Sequence, residues 1–325
     1  MKVAQIWFQF GKIHFLNRGS CLSKIFKGCT SLRYVKELKD LQTANNKNGN
    51  YESLFENCVS LKKVPKLINF RIFYNITSPG GGAYGTFKYM FKGCTELIDS
   101  TNFNMKKFLF DSNTFIPGEC FHQTFYGCSK LKFVSDFYLP NTVETLNYSS
   151  FSETFSGCSG LIKGPSLNDL SGLNTIYSKN SGTGGTFYRT FYNCISLTGG
   201  IDYLPSPSTL PEACYRDTFR NCSSLLITPQ LLNLQNVQSI KDRCLNSTFN
   251  SCTSIVSGIE LPACTLNNKN EYFYLYENCT NLKEIKVNFT NWTKDGSSTN
   301  GWVNNVPGGG KFICPNSLPL ISSRS

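Results

Sequence analysis

The stretch CFHQTFYGC, residues 120–128, sets His122, one of the chain's two histidines, between two cysteines. Imidazole and thiolate so close together are the raw material of a metal site or an activated thiol. Cysteines in the place of Cys128 recur along the chain with no histidine beside them, so packing accounts for Cys128, and His122 reads as an exposed helix residue. No C-x-x-C pair, H-E-x-x-H or G-x-S-x-G occurs, and the acids are scattered without a recurring pair. The spacings on which zinc and hydrolase chemistry depend are therefore missing. SPGGGAYGTF (78–87) and NSGTGGTF (180–187) have the glycine content of a phosphate cradle, yet neither carries the G-K-[ST] ending. Both read as long loops projecting from one side of the molecule. The chain is expected to be no enzyme and to use no cofactor or metal.

What positions these residues is a repeat. TFYGCSKLKFV (124–134) returns as TFSGCSGLIKG, TFYNCISLTGG, TFRNCSSLLIT and TFNSCTSIVSG. Anchored on its cysteine, the phrase has nine copies, at Cys29, Cys58, Cys94, Cys128, Cys158, Cys194, Cys222, Cys252 and Cys279, spaced 27–36 residues apart. An aromatic stands three residues before each cysteine, a Leu or Ile three after it, and an aromatic or Leu seven before it. The positions seven and three before are i and i+4, which share a face of a short helix. Gly, Asn or Ser directly before the cysteine suits a left-handed helix end. The spacing thus predicts an α/β repeat solenoid: a stack of nine short helix–turn–strand units with terminal caps, roughly 40 Å long at ordinary strand spacing. Residues 1–20 are read as an N-terminal cap or attachment segment, 21–290 as the solenoid, and 291–325 as a C-terminal cap and tail. Cys21, Cys120, Cys214 and Cys244 form a second column eight residues before the first. Free thiols are expected throughout, with Cys214 and Cys244 the best placed for a disulfide across neighbouring units.

The F-x-x-C-x-x-L columns resemble the BspA-type leucine-rich repeats over about residues 20–290, although the units here are longer and unequal. GWVNNVPGGGKFICP (301–315) is similar to the closing segment often seen after such repeats, with Lys311 where Thr is common. The family occurs in surface proteins of anaerobic and gut bacteria and in their phages. The resemblance implies recognition of proteins or glycans.

Charge adds a candidate surface. The chain carries a net +11, and residues 1–100 hold 15 Lys or Arg against 6 Asp or Glu. Arg33, Lys62, Lys63, Lys132 and Lys163 fall just after the repeat leucine, with Lys36 and Lys66 slightly further on. Stacking would align them into a basic ladder, either a solvated face or a docking surface for an acidic partner. No nucleic-acid motif accompanies them. The apolar runs are too short to cross a bilayer, and Gln5, Gln9, Lys12 and His14 interrupt any signal-peptide core at the N-terminus. The expected function is a non-enzymatic phage virion component, such as a fibre, decoration or receptor-binding protein. It would be made in the host cytoplasm and would contact other virion proteins or a host-surface protein or glycan. The alternative is a leucine-rich-repeat adhesin, secreted or on the bacterial surface.

Overall fold

The computed structural model describes residues 22–39, 51–68, 71–72, 85–104, 109–110, 115–136, 143–166, 172–179, 184–266, 270–293 and 296–319. The expected N-terminal cap, Cys21, residues 78–84 of the first glycine-rich stretch and 180–183 of the second lie outside them. The repeat phrases stack in sequence order as successive coils of a β-solenoid. After each cysteine the chain turns the corner at the buried Leu or Ile and runs through short extended stretches that pair in parallel with the neighbouring coil. Glu37–Lys39 pairs with Lys66–Ile68, and Phe115–Ile116, Thr145–Leu146 and Thr175–Ile176 form a three-stranded parallel sheet.

The expected helix is absent. Among the described residues there is no α-helix, only the 3-10 turns Leu234–Asn236 and Ser297–Thr299. Where the helix was expected, every fourth residue takes a left-handed backbone, as at Glu119, Gln123 and Gly127 with φ of 57°, 52° and 70°. Alternate amides close four-residue turns within the coil: Thr124 N–H donates to the Phe121 carbonyl and Cys128 N–H to that of Phe125, both at 3.1 Å. The others reach the next coil, Phe121 N–H donating to Ser150, Phe125 to Thr154 and Gly127 to Ser156 at 2.7–2.8 Å. A left-handed backbone costs an L-residue roughly 1–2 kcal/mol. That cost is offset because half the amides of this wall bond between coils, which an α-helix, using its amides internally, cannot do.

Two columns of small donors complete the wall. The Cys128 thiol donates to the Phe91 carbonyl of the preceding coil at 3.1 Å, and the same contact repeats from Cys58 to Cys279 at 3.0–3.1 Å. Four residues earlier, the hydroxyls of Thr124, Thr154, Thr190 and Thr218 each lie within hydrogen-bond distance of the aromatic carbonyl of their own coil and of the coil before, with one proton shared between the two. Each acceptor carbonyl is already engaged by a turn amide, so the side chain takes its second lone pair. The threonine in TFxxC is thus structural, a role the columns alone did not reveal.

Inside, the rings three residues before each cysteine stack from Phe26 to Tyr276, with centroids 5.1–6.0 Å apart and planes within 3–13° of parallel. This is the offset geometry aromatic quadrupoles prefer, and burying each ring contributes roughly 1.5–3 kcal/mol. The column thiols from Cys58 to Cys279 are fully buried, whereas Cys29 is exposed. Burial pushes the thiols of Cys58, Cys128 and Cys279 up to about 12. Cys214 and Cys244 meet as free thiols in hydrogen-bond contact, and no disulfide occurs among the described residues.

The segment after Cys279 continues the ladder. Tyr272, Tyr274, Tyr276 and Asn278 donate to Ser298, Asn300, Trp302 and Asn304 at 2.7–3.2 Å, and Gly301 and Asn305 are left-handed. Val306 stands where a cysteine would, its amide closing on Val303 at 3.1 Å. The closing segment is therefore built as one more coil.

Two outcomes test this wall. Gly127→Ala, with nothing within 4 Å of the new Cβ, should destabilise by about 1–2 kcal/mol in urea. A left-handed helix end would give the same sign, so the discriminating change is Lys24→Gly, between Leu22 and Phe26: it should stabilise here, where Lys24 has φ of 64°, and would cost about 1 kcal/mol in a helix interior. Under native conditions iodoacetamide should label Cys29 and Cys314 and spare the column from Cys58 to Cys279 until the chain unfolds. Rapid native labelling of that column would contradict its burial.

Candidate functional site: the outward strand face

Immediately after the buried Leu or Ile, two successive side chains in each coil stand beside the backbone bridges that join the coils. Registered bridges run Lys63 to Asp99 and Asp99 to Phe133, then Lys163 to Gly199 and Ser257 to Glu284. In the adjacent column Lys62 N–H donates to the Arg33 carbonyl, Ile98 to Lys62 and Lys132 to Ile98. Farther along, Thr198 donates to Ile162 and Leu226 to Thr198. All seven predicted binding residues are exposed. The structure brings five of them together, because Lys66 N–H also donates to the Lys36 carbonyl at 3.2 Å. Arg33, Lys36, Lys62, Lys63 and Lys66 form one patch on the first two described coils.

Lys132 and Lys163 are not part of that patch. Ile98 and Asp99 occupy the coil between Lys62–Lys63 and Lys132, and Asp99 Oδ2 takes Lys63 Nζ at 2.7 Å. Partial burial opposes ionisation of Asp99. The Lys63 ammonium and the hydroxyl and amide of Thr101 overcome it and hold the carboxyl below its usual value. Lys130 is likewise matched, 2.6 Å from Glu96. The ladder is therefore one basic patch, its Lys63 paired with Asp99, with Lys132 and Lys163 set apart from it by the coil of Ile98 and Asp99.

Large apolar side chains share these columns, an aspect the charge pattern hid. Ile98, Phe133, Ile162 and Val256 are exposed, and Leu226 and Ile227 are 60% and 66% exposed. Their signal was present in the sequence: TELID, KLKFV, GLIKG and LLITP carry the same two columns after the repeat leucine. The face thus passes from a basic patch through coils that mix apolar and cationic side chains to the apolar pair Leu226 and Ile227. Isolated exposed apolar residues are ordinary on any protein; their recurrence in two adjacent columns of one face is not.

His122 lies on the turn wall and is neither exposed nor helical. Its ring meets Tyr89 edge-on at 5.5 Å, and its Nδ1 is buried without a hydrogen-bond partner. Burial, followed by the nearby Lys88 ammonium, depresses it to about 4. It is neutral at pH 7. Among the described residues no group of three His, Cys, Asp or Glu side chains is placed to hold a metal ion, and no helix is long and apolar enough to cross a membrane.

No family model matches this chain, and no curated protein matches it in sequence. Among solved structures, a leucine-rich repeat protein from Bacteroides ovatus ATCC 8483 is similar at 19% identity, covering 90% of this chain and 86% of that one, with a TM-score of 0.22. A leucine-rich cell surface protein from Faecalibacterium prausnitzii A2-165 is similar at 16% identity over 84% of this chain and 79% of that one, with a TM-score of 0.24. Superpositions this loose carry no argument; the solenoid rests on this chain's own hydrogen bonds.

The His122 environment fixes a pH dependence. A folded value of about 4 against roughly 6.5 unfolded means the unfolded chain binds the proton first as pH falls. Its contribution is complete above about pH 6.5 and is lost progressively toward pH 4. Replacing it, His122→Phe, should flatten the fall in melting temperature between pH 6.5 and 5, above the range where the carboxylates titrate. An unchanged slope would show that the imidazole is solvated.

Proposed function

We propose that this chain is a non-catalytic recognition solenoid, and that its outward strand face is the surface it presents to a partner. The observation that carries this reading is the set of exposed apolar side chains Ile98, Phe133, Ile162, Leu226, Ile227 and Val256, spread over two adjacent columns of one face that also carries the basic patch. Water solvates a basic patch well, so the cations alone would serve solubility. Solvation offers nothing comparable to six exposed apolar side chains on one face, and covering them is favourable at roughly 25 cal/mol per Å². A partner that fits is a protein surface carrying acids opposite the first coils and apolar side chains farther along. The acids would steer encounter and the apolar contact would slow release.

Two settings suit such a face. One is the phage particle, where the chain would contact other virion proteins or a host-surface protein or glycan. The other is the bacterial surface, where it would act as an adhesin. Peptide mass spectrometry on banded particles and on the cell envelope of the source culture separates them. Abundance in particles means a virion part, and confinement to the envelope means an adhesin.

The face itself is tested by binding of the labelled chain to intact cells of that culture in 50 mM salt. The triple variant Lys62→Glu, Lys63→Glu, Lys66→Glu and the double variant Leu226→Ser, Ile227→Ser should each weaken binding at least tenfold. Raising the salt should weaken the wild type and leave the triple variant little changed. Undiminished binding by both variants would retire the face.

A further inference from the structure

Eight residues before the column cysteine, a side-chain donor usually finds a backbone carbonyl. The Ser150 hydroxyl lies 3.2 Å from the Pro117 carbonyl of the coil before, and that of Thr186 lies 2.8 Å from the Tyr177 carbonyl. At Cys214 and Cys244 the pattern changes, because the two thiols are in contact with each other. The Tyr215 hydroxyl also reaches the Cys214 sulfur, but it donates to the Pro205 carbonyl.

Backbone register fixes the pair from both sides. Leu210 pairs with Ile240 in a parallel ladder, and Tyr215 N–H donates to the Cys244 carbonyl at 2.8 Å, so Cys214 and Cys244 sit side by side on neighbouring coils. Neighbouring strands lie roughly 4.8 Å apart, inside the span of about 4.4–6.8 Å between the Cα atoms of a disulfide. Other thiols nearby are engaged elsewhere. Cys222 and Cys252 also lie on these two coils, yet each donates to an aromatic carbonyl of the coil before at 3.0 Å. Cys264 is within electrostatic reach of Cys244, but its sulfur faces the Tyr272 hydroxyl at 4.0 Å. Both Cys214 and Cys244 are fully buried, and burial keeps the Cys214 thiol protonated. Thiol exchange needs an accessible thiolate, so the finished stack shields the pair and the exchange belongs to the time before these coils close.

We propose that Cys214 and Cys244 are a redox staple between two coils, closed as a disulfide when the chain folds in oxidising surroundings and left as a buried thiol pair when it folds in reducing ones. The oxidant is a low-molecular-weight disulfide such as oxidised glutathione. One cysteine thiolate attacks its S–S bond, forming a mixed disulfide and releasing one glutathione thiolate. The other cysteine thiolate attacks the protein sulfur of that mixed disulfide, forming the Cys214–Cys244 bond and releasing the second glutathione thiolate. The two cysteine protons end on the two glutathiones. Cytoplasmic folding leaves the staple open and folding outside the cell closes it, so its state records where the chain folded.

The test unfolds the intact, reduced chain in urea and refolds it in oxidised or in reduced glutathione. Mass spectrometry of unreduced peptides should find Cys214 joined to Cys244 after the first and free after the second. The same oxidant added to the folded chain should form the bond about tenfold more slowly. Joining two coils of a stack held by neighbour contacts should raise the melting temperature by about 5 °C or more. Cys244→Ser, which places there the side chain that Ser150 carries in this column, should show no such rise. The peptide map of the wild-type chain stands by itself if that variant fails to fold. Cys222 joined to Cys252 or Cys244 joined to Cys264 instead, no cross-link, equal rates in the folded and refolding chain, or an unchanged melting temperature would overturn the staple.

Discussion

The bond on which this structure depends is the amide that leaves its own coil. Along the turn wall every second N–H points to the next coil, in the same direction from Lys24 bonding Glu52 to Asn278 bonding Asn304. A chain can alternate its amides this way only if its backbone reverses hand at regular intervals, hence the left-handed residue in every fourth position. Glycine relieves that cost at Gly93, Gly127 and Gly157. Asn and Asp tolerate it at Asn193, Asp217 and Asn221, and at Gln123, Glu153 and Arg189 the inter-coil bonds hold it in place.

Packing follows from this arrangement. Coils joined at every second amide superimpose their side chains, so one aromatic per coil becomes a stack and one thiol per coil becomes a column. Threonine and cysteine are suited to the wall because each is small enough to be buried and carries a donor for a carbonyl lone pair that the backbone leaves over. Stability built in this manner is a sum of contacts between neighbours. The connecting segments are then free to differ in length, and the phrases are accordingly spaced 27–36 residues apart.

The same rigidity leaves the strand face with exposed side chains that the core does not use. That face passes from a basic patch through coils that mix apolar and cationic side chains to Leu226 and Ile227, whereas on the turn wall three arginines pair with the buried Asp217. The strand face is extended, as suits contact with something larger than a metabolite. The thiols that first invited a chemical reading are hydrogen-bonded inside the wall, with values raised by burial, and His122 is kept neutral.

Read from sequence alone, the aromatic, cysteine and leucine columns identify a stacked repeat and the residues of its core, because burial constrains side-chain type at each position. Nine phrases leave little room for another architecture. The added coil around Val306 escaped notice because its cysteine is replaced, and the threonine column because a lone hydroxyl gives no sign of its acceptor. The basic ladder was visible as charge, but whether Ile98 and Asp99 interrupt it depends on which coil lies between which. The helix went wrong for a physical reason. Spacing of four between apolar residues is common to an α-helix and to a spiral of turns, and side chains alone do not distinguish them. The choice is made by where the amide finds its acceptor, four residues back in its own chain or across in a neighbouring coil. Only the assembled stack supplies the second.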